Sequence, residues 1–597
     1  MRFKSKATGG FQIFAVSGVN TVSFAITATA AARAGLLGFA IERVDPQESE
    51  RYPMAGFKVF RSIIPHPDEK TTVSTWDHPV QSFVWDDFTA KPKYRYEYVF
   101  HPLRGAPKNL DRSAAPIGIT VRTEPLYSEE EHDVFFNRGV ASSQAYARRF
   151  ENKRPDQLPA AKQKRALQWL TRELDDAILK FIGEAGPSDT LLCCFYEFRY
   201  PPVADALKSA LDRGADVRII VDAKVNETTD KNGTFHESFP REENLRTIAA
   251  ANLPNGRIIL REARTSAIAH NKFMVLLRGK GQSAKPTAVW TGSTNISLSG
   301  VAGQTNVGHW VRNATIAESF RRYWNLLGED PGGKDGDDGA TVRTKNAAFR
   351  KKVEAIFEAP TQLDDVSAGV TPVFSPRSGL DVLDLYFRLV DGASNEACVT
   401  LAFGINKAFK ELLKDNTSQQ AIIFMLLEKE DRPAKNSKEP FLAINASNNV
   451  YKAWGSYIDD PVYQWTKETS SGLLGITTHV SYIHSKFLLH DPLGKDPLVV
   501  TGSANFSDAS TKENDENMVL VRGDRRVADI YFTEFNRLFN HYYFRSVYEA
   551  AKRTGHEDES ELFLKETPAE WLKKYAPGTL RSKRVRMFAE MEGFTTT

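Results

Sequence analysis

The spacing of apolar and polar positions changes character near residue 125. Before it, runs such as "TVSFAITAT", "LLGFAIERV", "GFKVFRSII", "VQSFVWDDF", "YRYEYVF" and "IGITVRT" recur at short intervals, divided by Pro, Gly, Asp and Asn. Short β-branched and aromatic runs bounded by turn residues predict an all-β sandwich over residues 1–124. After it, "KRALQWLTRELDDAILKFIGEA" (164–185) has a helical apolar period. A buried strand "TLLCCFYEF", a helix "PPVADALKSALDRG" and a strand "DVRIIVDAK" follow. That β-α-β order predicts a mostly parallel sheet covered by helices. Residues 328–345, rich in Gly and Asp, read as a linker or exposed loop.

One apolar run carries unexpected polar residues. "IHSKFLLHD" (483–491) reads as a buried strand, yet it holds His484 and Lys486 two residues apart and so on one face. Buried strands rarely carry lysine, and a lone His-x-Lys triplet is expected by chance. The triplet is not alone. "IAHNKFMVLL" (268–277) matches "YIHSKFLLHD" (482–491), and downstream "VWTGSTNIS" (289–297) matches "VVTGSANFS" (499–507). Upstream, "HDVFFNRG" loosely matches "VTPVFSPRS". From His to Asn is 25 residues in one copy and 21 in the other, a difference one loop absorbs. Residues 125–550 are therefore a duplicated unit, divided as 125–330 and 331–550.

If the copies pack about a pseudo-two-fold, one site collects His270, Lys272, Ser293 and Asn295 with His484, Lys486, Ser503 and Asn505. Two ammoniums and two amides suit the non-bridging oxygens of a phosphate. Two imidazoles suit nucleophilic attack by one and protonation of the leaving group by the other. No carboxylate cluster or metal-ligand set accompanies them, so the expected chemistry needs neither metal nor cofactor. Metal-free cleavage of a phosphodiester through a covalent phosphohistidine follows from this inventory.

Composition bounds the setting. The 597 residues, 41% apolar and 26% charged, describe an ordinary soluble protein of several domains. A formal charge of +3 predicts neither a nucleic-acid nor a membrane-surface binder by charge alone, so any basic surface must be local. Cys193, Cys194 and Cys398 lie in apolar runs and read as buried, reduced thiols. The opening "FQIFAVSGVNTVSFAITATAAARA" imitates a signal peptide, but polar residues interrupt its apolar run. No stretch is long and apolar enough to be a transmembrane helix. The expected location is cytoplasmic, with secretion by a route needing no signal peptide left open.

The paired HxK…GSxN repeats resemble the phospholipase D superfamily, with both half-sites in one chain. The resemblance implies a duplicated α/β/α sandwich with pseudo-two-fold symmetry, phosphodiesterase activity without cofactor, and catalytic roles for His270, Lys272, Asn295, His484, Lys486 and Asn505. Ser293 and Ser503 match its GS positions and are expected to support the loop or bind phosphate. The superfamily's HxK is followed by an Asp; the second copy has Asp491 and the first has Leu277. Asp491 stands at odd offset from His484 and should face away from it. After TGSAN the second copy reads "KENDENMVLV", placing Glu516 where the superfamily commonly has an acid that orients a histidine, and the first reads "AGQTNVGHWV", where Gln304 is taken for that position by its likeness to Glu. Tyrosyl-DNA phosphodiesterases have a similar Glu/Gln asymmetry. By that resemblance Glu516 orients His270 as nucleophile and Gln304 holds His484 as general acid.

The substrate is less legible. "VVTGSANFSDASTKENDENMVLV" (499–521) resembles the small bacterial EDTA-resistant endonucleases of this superfamily. The tail, residues 551–597, carries Lys573, Lys574, Arg581, Lys583, Arg584 and Arg586, which could follow a nucleic-acid backbone or form a solvated helical face. An endonuclease is the preferred reading. A phospholipase D acting on phospholipid headgroup esters is the alternative, and a catalytically weak phosphate-binding scaffold a further one. Tyr94, Tyr96 and Tyr98 alternate along one strand, with Trp85 in the strand before. That pattern resembles a fibronectin type III module and implies a domain that positions the rest or meets a protein partner. With both half-sites in one chain, a monomer suffices.

Overall fold

The structure is a computed structural model that describes all residues except 57, 68–70, 140–145, 147–148, 152, 264–266, 418–420, 434–440, 456–481 and 555–562. Its centre is two seven-stranded mixed sheets of identical strand order. The first half contains β1 (His132–Phe136), β2 (Thr190–Phe195), β3 (Asp216–Asp222), β4 (Ile258–Arg261), β5 (Lys272–Arg278), β6 (Lys285–Gly292) and β7 (Val307–Val311). Across the sheet they run β1-β7-β6-β5-β2-β3-β4. The second half repeats this with β8 (Gly369–Ser375), β9 (Glu396–Leu401), β10 (Ile422–Leu427), β11 (Val450–Trp454), β12 (Phe487–His490), β13 (Leu498–Gly502) and β14 (Glu516–Arg522). Their order is β8-β14-β13-β12-β9-β10-β11. The duplication read from two short motifs thus extends over both sheets.

The central strands are mostly apolar and buried along nearly their whole length because both faces of each sheet are covered. On β2, Leu191, Cys193 and Phe195 enter the outer core with helices Ala160–Thr171, Leu174–Gly183 and Pro201–Asp212. The intervening Leu192 and Cys194 face helix Ala314–Gly328, in a core that also takes Phe374 and Val519 from the second half. All three cysteines are buried free thiols. The helix expected over 164–185 is broken at Arg172, whose φ is 50°. The break turns its guanidinium inward, where Nε donates to the Phe136 carbonyl at 2.9 Å and Nη2 meets Glu534 at 2.9 Å.

The N-terminal region forms two sheets, one built on Phe11–Ser17 and Val22–Ala28, the other on Leu36–Asp45, Arg95–Ala106 and Ile117–Arg122. The run "GFKVFRSII" is not a strand where it is described: Ile63 and Ile64 turn back to donate to the Phe60 carbonyl. Nor does the tail stand apart from this region. Trp571, Tyr575 and Val585 complete the sandwich core, and Thr595–Thr596 pairs parallel with Arg2–Lys4. Two of its cations are drawn inward too. Lys583, 6% exposed, donates to Asn449 Oδ1 at 2.6 Å, and Arg584 donates to Asn540 Oδ1 at 2.9 Å. Packing thus removes Lys583 and part of Arg584 from the surface, while Lys573, Arg581 and Arg586 stay exposed.

The sandwich is fastened to the duplicated region through Arg2. Its Nε donates to Asp529 Oδ1 at 2.8 Å, and its two Nη atoms donate to the carbonyls of Leu493 at 2.7 Å and Pro492 at 2.8 Å. Asp529 lies on the long helix Arg525–Thr554, which packs on both regions. Among the described residues, no helix is long and apolar enough to cross a membrane. Arg2→Ala leaves Asp529 and two carbonyls buried without this donor, so it should destabilise the fold by about 3 kcal/mol, read from denaturant unfolding.

Candidate active site

The HxK segments lie just ahead of the strands they were expected to occupy. Lys272 opens β5, and His484 and Lys486 precede β12. This places the four side chains where the halves meet. The backbone is exchanged there: Asp515 N–H donates to the Ile268 carbonyl at 3.0 Å, and Thr305 N–H to the Tyr482 carbonyl at 2.8 Å. Ile268 and Tyr482 each stand two residues before a histidine, so the two bonds are related by the pseudo-two-fold. Within each half, the lysine Nζ donates to the carbonyl of its own histidine at 2.6 Å, His270 for Lys272 and His484 for Lys486.

Each imidazole is held from behind by the opposite half. His270 Nδ1 lies 3.0 Å from both carboxylate oxygens of Glu516. His484 Nδ1 lies 3.0 Å from Oδ1 of Asn306, not from Gln304. Strand register gives the reason. Gly292 pairs with Gly308 and Gly502 with Met518, so Asn306 is the counterpart of Glu516. Both stand 13 residues beyond the serine of their GS pair, a spacing that identifies Asn306 without a gap. Gln304 instead caps the π-helical turn Ser299–Gly303, and its carbonyl accepts from Asn137 Nδ2 at 2.6 Å.

Asn306 has a defined orientation. Its Nδ2 donates to the Gly300 carbonyl at 2.8 Å, and its Oδ1 accepts from Ser293 Oγ at 2.9 Å. Oδ1 therefore faces an Nδ1–H of His484, which leaves Nε2 for the substrate side. Ser293 Oγ also accepts from Val307 N–H at 3.1 Å, and Ser503 Oγ from Asn517 N–H at 3.0 Å. Both serines are fully buried in these turns, where their hydroxyls brace the segments that carry the residues behind the histidines. The preceding glycines admit no side chain. A Cβ on Gly292 would lie 2.3 Å from the Val307 carbonyl oxygen, and one on Gly502 2.2 Å from that of Asn517.

The site also holds acids that the sequence reading passed over. Glu197 Oε1 accepts from Asn295 Nδ2 at 2.8 Å. Asp222 Oδ2 accepts from Ala269 N–H at 2.9 Å, and Glu428 Oε2 from Ile483 N–H at 2.7 Å. These two tie down the residue before each histidine. Each stands directly after an apolar run, "RIIVD" and "MLLE", a repeat signal visible in the sequence. Asn505 lies beside Ser510, whose Oγ accepts its N–H at 3.1 Å. Asp491 faces elsewhere, as its odd offset requires: its carboxylate accepts from the N–H groups of Ser394, Asn395 and Glu396 at 2.7–3.0 Å.

Burial and mutual repulsion govern the charges. Burial, then the lysines, hold both imidazoles well below the usual histidine range. Burial lowers Lys272 to about 8 against the pull of Glu516 and Glu197. Burial and the neighbouring Lys272 lower Lys486 further. Burial raises Glu516 to about 7, opposed chiefly by Lys272. The two buried lysines repel one another, a repulsion that Glu516 and Glu197 oppose. Among the described residues, no three His, Cys, Asp or Glu side chains converge to hold a metal. Replacing the amide behind His484 with a carboxylate, Asn306→Asp, should raise the His484 pKa by about one pH unit or more, measured by NMR titration of the imidazole.

The family model described as "Cardiolipin synthase, PLD-like domain" matches residues 178–327 and 399–539, one segment in each half. Among solved structures, the chain is similar to the phosphatidylserine synthase of Haemophilus influenzae Rd KW20, with 12% identity, 70% of this chain and 93% of that one covered, and a TM-score of 0.41. It is similar to the polyphosphate kinase of Porphyromonas gingivalis with 14% identity and a TM-score of 0.35, over 58% of this chain and 46% of that one. For Nuc, a phospholipase D family member from Salmonella typhimurium, the figures are 22% identity, 26% and 87% coverage, and a TM-score of 0.20. No curated protein matches the chain in sequence. With a matched segment in each half, and paired motifs that meet across the interface, the duplicated region carries a phospholipase D-like domain.

Proposed function

We propose that this protein is a metal-independent phosphodiesterase working through a covalent phosphohistidine, with His270 as nucleophile and His484 as general acid. The observation that carries the assignment is the unequal backing of the two imidazoles, Glu516 behind one and Asn306 behind the other. The carboxylate holds Nδ1–H of His270 and makes its free Nε2 the more nucleophilic. A phosphodiester monoanion bound between Lys272 and Lys486, met by the amides of Asn295 and Asn505, offsets their repulsion. It also favours the protonated state of His484. His270 Nε2 then bonds to phosphorus, the bond to the leaving oxygen breaks, and that oxygen takes the His484 proton. In the second step water attacks phosphorus, its proton passes to His484, and the N–P bond breaks.

Nucleic acid remains the first substrate reading, supported by the resemblance of residues 499–521 to EDTA-resistant endonucleases; of the tail cations, Lys573, Arg581 and Arg586 are exposed to meet a phosphate backbone. One observation favours phospholipid as the second. Val225, Phe235 and Phe403 are 55%, 58% and 68% exposed, all following the ends of β3 or β9 on the side of the HxK segments. Plasmid nicking in excess EDTA by wild type, but not by His270→Ala, establishes the nuclease. No nicking with hydrolysis of phospholipid vesicles establishes the second reading.

The chemistry has its own tests. His484→Ala should reduce turnover of a natural diester by about 10²-fold or more, and that of bis(p-nitrophenyl) phosphate much less, because p-nitrophenolate leaves without a proton. The dependence of kcat/KM on pH should be a narrow bell. Activity falls below about pH 7 as Glu516 takes a proton, and above about pH 8 as Lys272 loses one.

A further inference from the structure

Beyond Glu516 and Asn306, the pseudo-two-fold fails at a further position against the site. Phe195 on β2 lies opposite Lys272, and Glu197 stands two residues on. In the second half Val399 lies opposite Leu488. The same register sets Leu401 opposite Lys486 and Phe403 in the place of Glu197. Glu197 is 8% exposed, whereas Phe403 is 68% exposed. One half keeps an acid turned into the site, and the other offers an aromatic ring to solvent.

Glu197 is held on both oxygens. Oε1 accepts from Asn295 Nδ2 at 2.8 Å, and Oε2 from Arg199 Nε at 2.9 Å. Arg199 is fixed in turn by Glu243, 3.1 Å from its Nη1. Asn295, 4% exposed, leaves its Oδ1 buried with no hydrogen-bond partner among the described residues. A buried amide oxygen without a donor is costly. Turning the amide over would set that oxygen against the Glu197 carboxylate, which is worse. The carboxylate thus decides which end of Asn295 faces which way. One Nδ2 hydrogen goes to Glu197, and the second remains for another acceptor.

We propose that Glu197 is a positioning residue of the phosphate site, fixing the polarity of the Asn295 amide so that its remaining N–H meets a phosphoryl oxygen. The inference rests on the reading that a phosphodiester occupies this site. The second half has no such acid at the corresponding position, so the Asn505 amide is set by the substrate itself. The two halves then differ in rigidity as well as in proton chemistry: the half that carries the nucleophile is organised in advance. Glu197 also acts on the cations, favouring the charged form of both Lys272 and Lys486.

The test compares wild type with Glu197→Gln, which keeps an acceptor for Asn295 but loses the charge, and Glu197→Ala, which loses both. Inorganic phosphate binding is followed by calorimetry from neutral to alkaline pH, and hydrolysis of bis(p-nitrophenyl) phosphate is measured alongside. Glu197→Ala is expected to weaken phosphate binding and raise KM about tenfold or more, with a smaller change in kcat. Glu197→Gln is expected to bind nearly as well at neutral pH, with its alkaline limb moved to lower pH. Thermal unfolding of each variant separates this from loss of the fold, and Glu197→Gln, which preserves the hydrogen bond, decides where Glu197→Ala melts early. Variants that follow wild type in affinity and pH dependence overturn the role of Glu197. Phosphate binding by wild type without hydrolysis of any diester removes the phosphohistidine reading, and Glu197 is still judged on binding. A wild type that binds no phosphate overturns both.

Discussion

Everything at the site depends on the exchange of backbone and side chain between the two halves. Neither half can orient its own histidine. The group behind His270 sits on β14 of the second half, and the group behind His484 immediately precedes β7 of the first. The same crossing ties Asp515 to Ile268 and Thr305 to Tyr482, so the HxK segments are fixed by the joint they help to form. A shift between the sheets would therefore alter the tautomer and direction of both imidazoles together. This explains the depth of the shared core. Phe273 and Val289 of one half pack with Phe374 and Val519 of the other, and the helices Ala314–Gly328 and Arg525–Thr554 close the joint.

The second constraint is electrostatic. Burying two ammoniums beside two imidazoles is unfavourable unless their charge is met. The protein meets it in part, with Glu516 and Glu197, and leaves the remainder to an anion. Partial compensation keeps the empty site from collapsing into permanent ion pairs that a substrate would have to break. Each lysine donates instead to the carbonyl of its own histidine, a neutral acceptor from which Nζ retains two further hydrogens. The site is thus held in a geometry that binding completes rather than rearranges.

Much of this was legible because the chemistry imposes spacing. Two HxK triplets, each followed by GSxN, gave the duplication, the joint and six of the polar side chains at the site. The strands themselves were visible as uninterrupted apolar runs, a consequence of burial on both faces. What could not be read has a common cause: it depends on pairing between strands distant in sequence. Asn306 was displaced by two residues because similarity of side chains, Gln for Glu, was followed instead of the constant 13-residue spacing that the sheet requires. Glu197 lies outside any motif, and Asp222 and Glu428, though each closes a repeated apolar run, reach the site only through the packing of their strands. Within the tail, Lys583 and Arg584 look alike in sequence to the exposed Lys573, Arg581 and Arg586, although they meet the amides of Asn449 and Asn540.

Duplication supplied symmetry, and function has removed it residue by residue along a single axis. Glu516 answers to Asn306, Glu197 to Phe403, and His309 on β7 to Val519 on β14. The last pair shows that the asymmetry is built into the core and is not confined to the substrate. His309 is buried in a chain with His132 at 2.9 Å and Tyr531 at 3.1 Å, where the second half has a plain apolar contact. Two imidazoles in equal surroundings would compete for one proton and attack from either side. On the proposed mechanism, unequal surroundings would give His270 the lone pair and His484 the proton, a division held by residues that do not themselves react. That is the reason to expect the residues behind the histidines, more than the histidines themselves, to set which diester bond is broken and from which face.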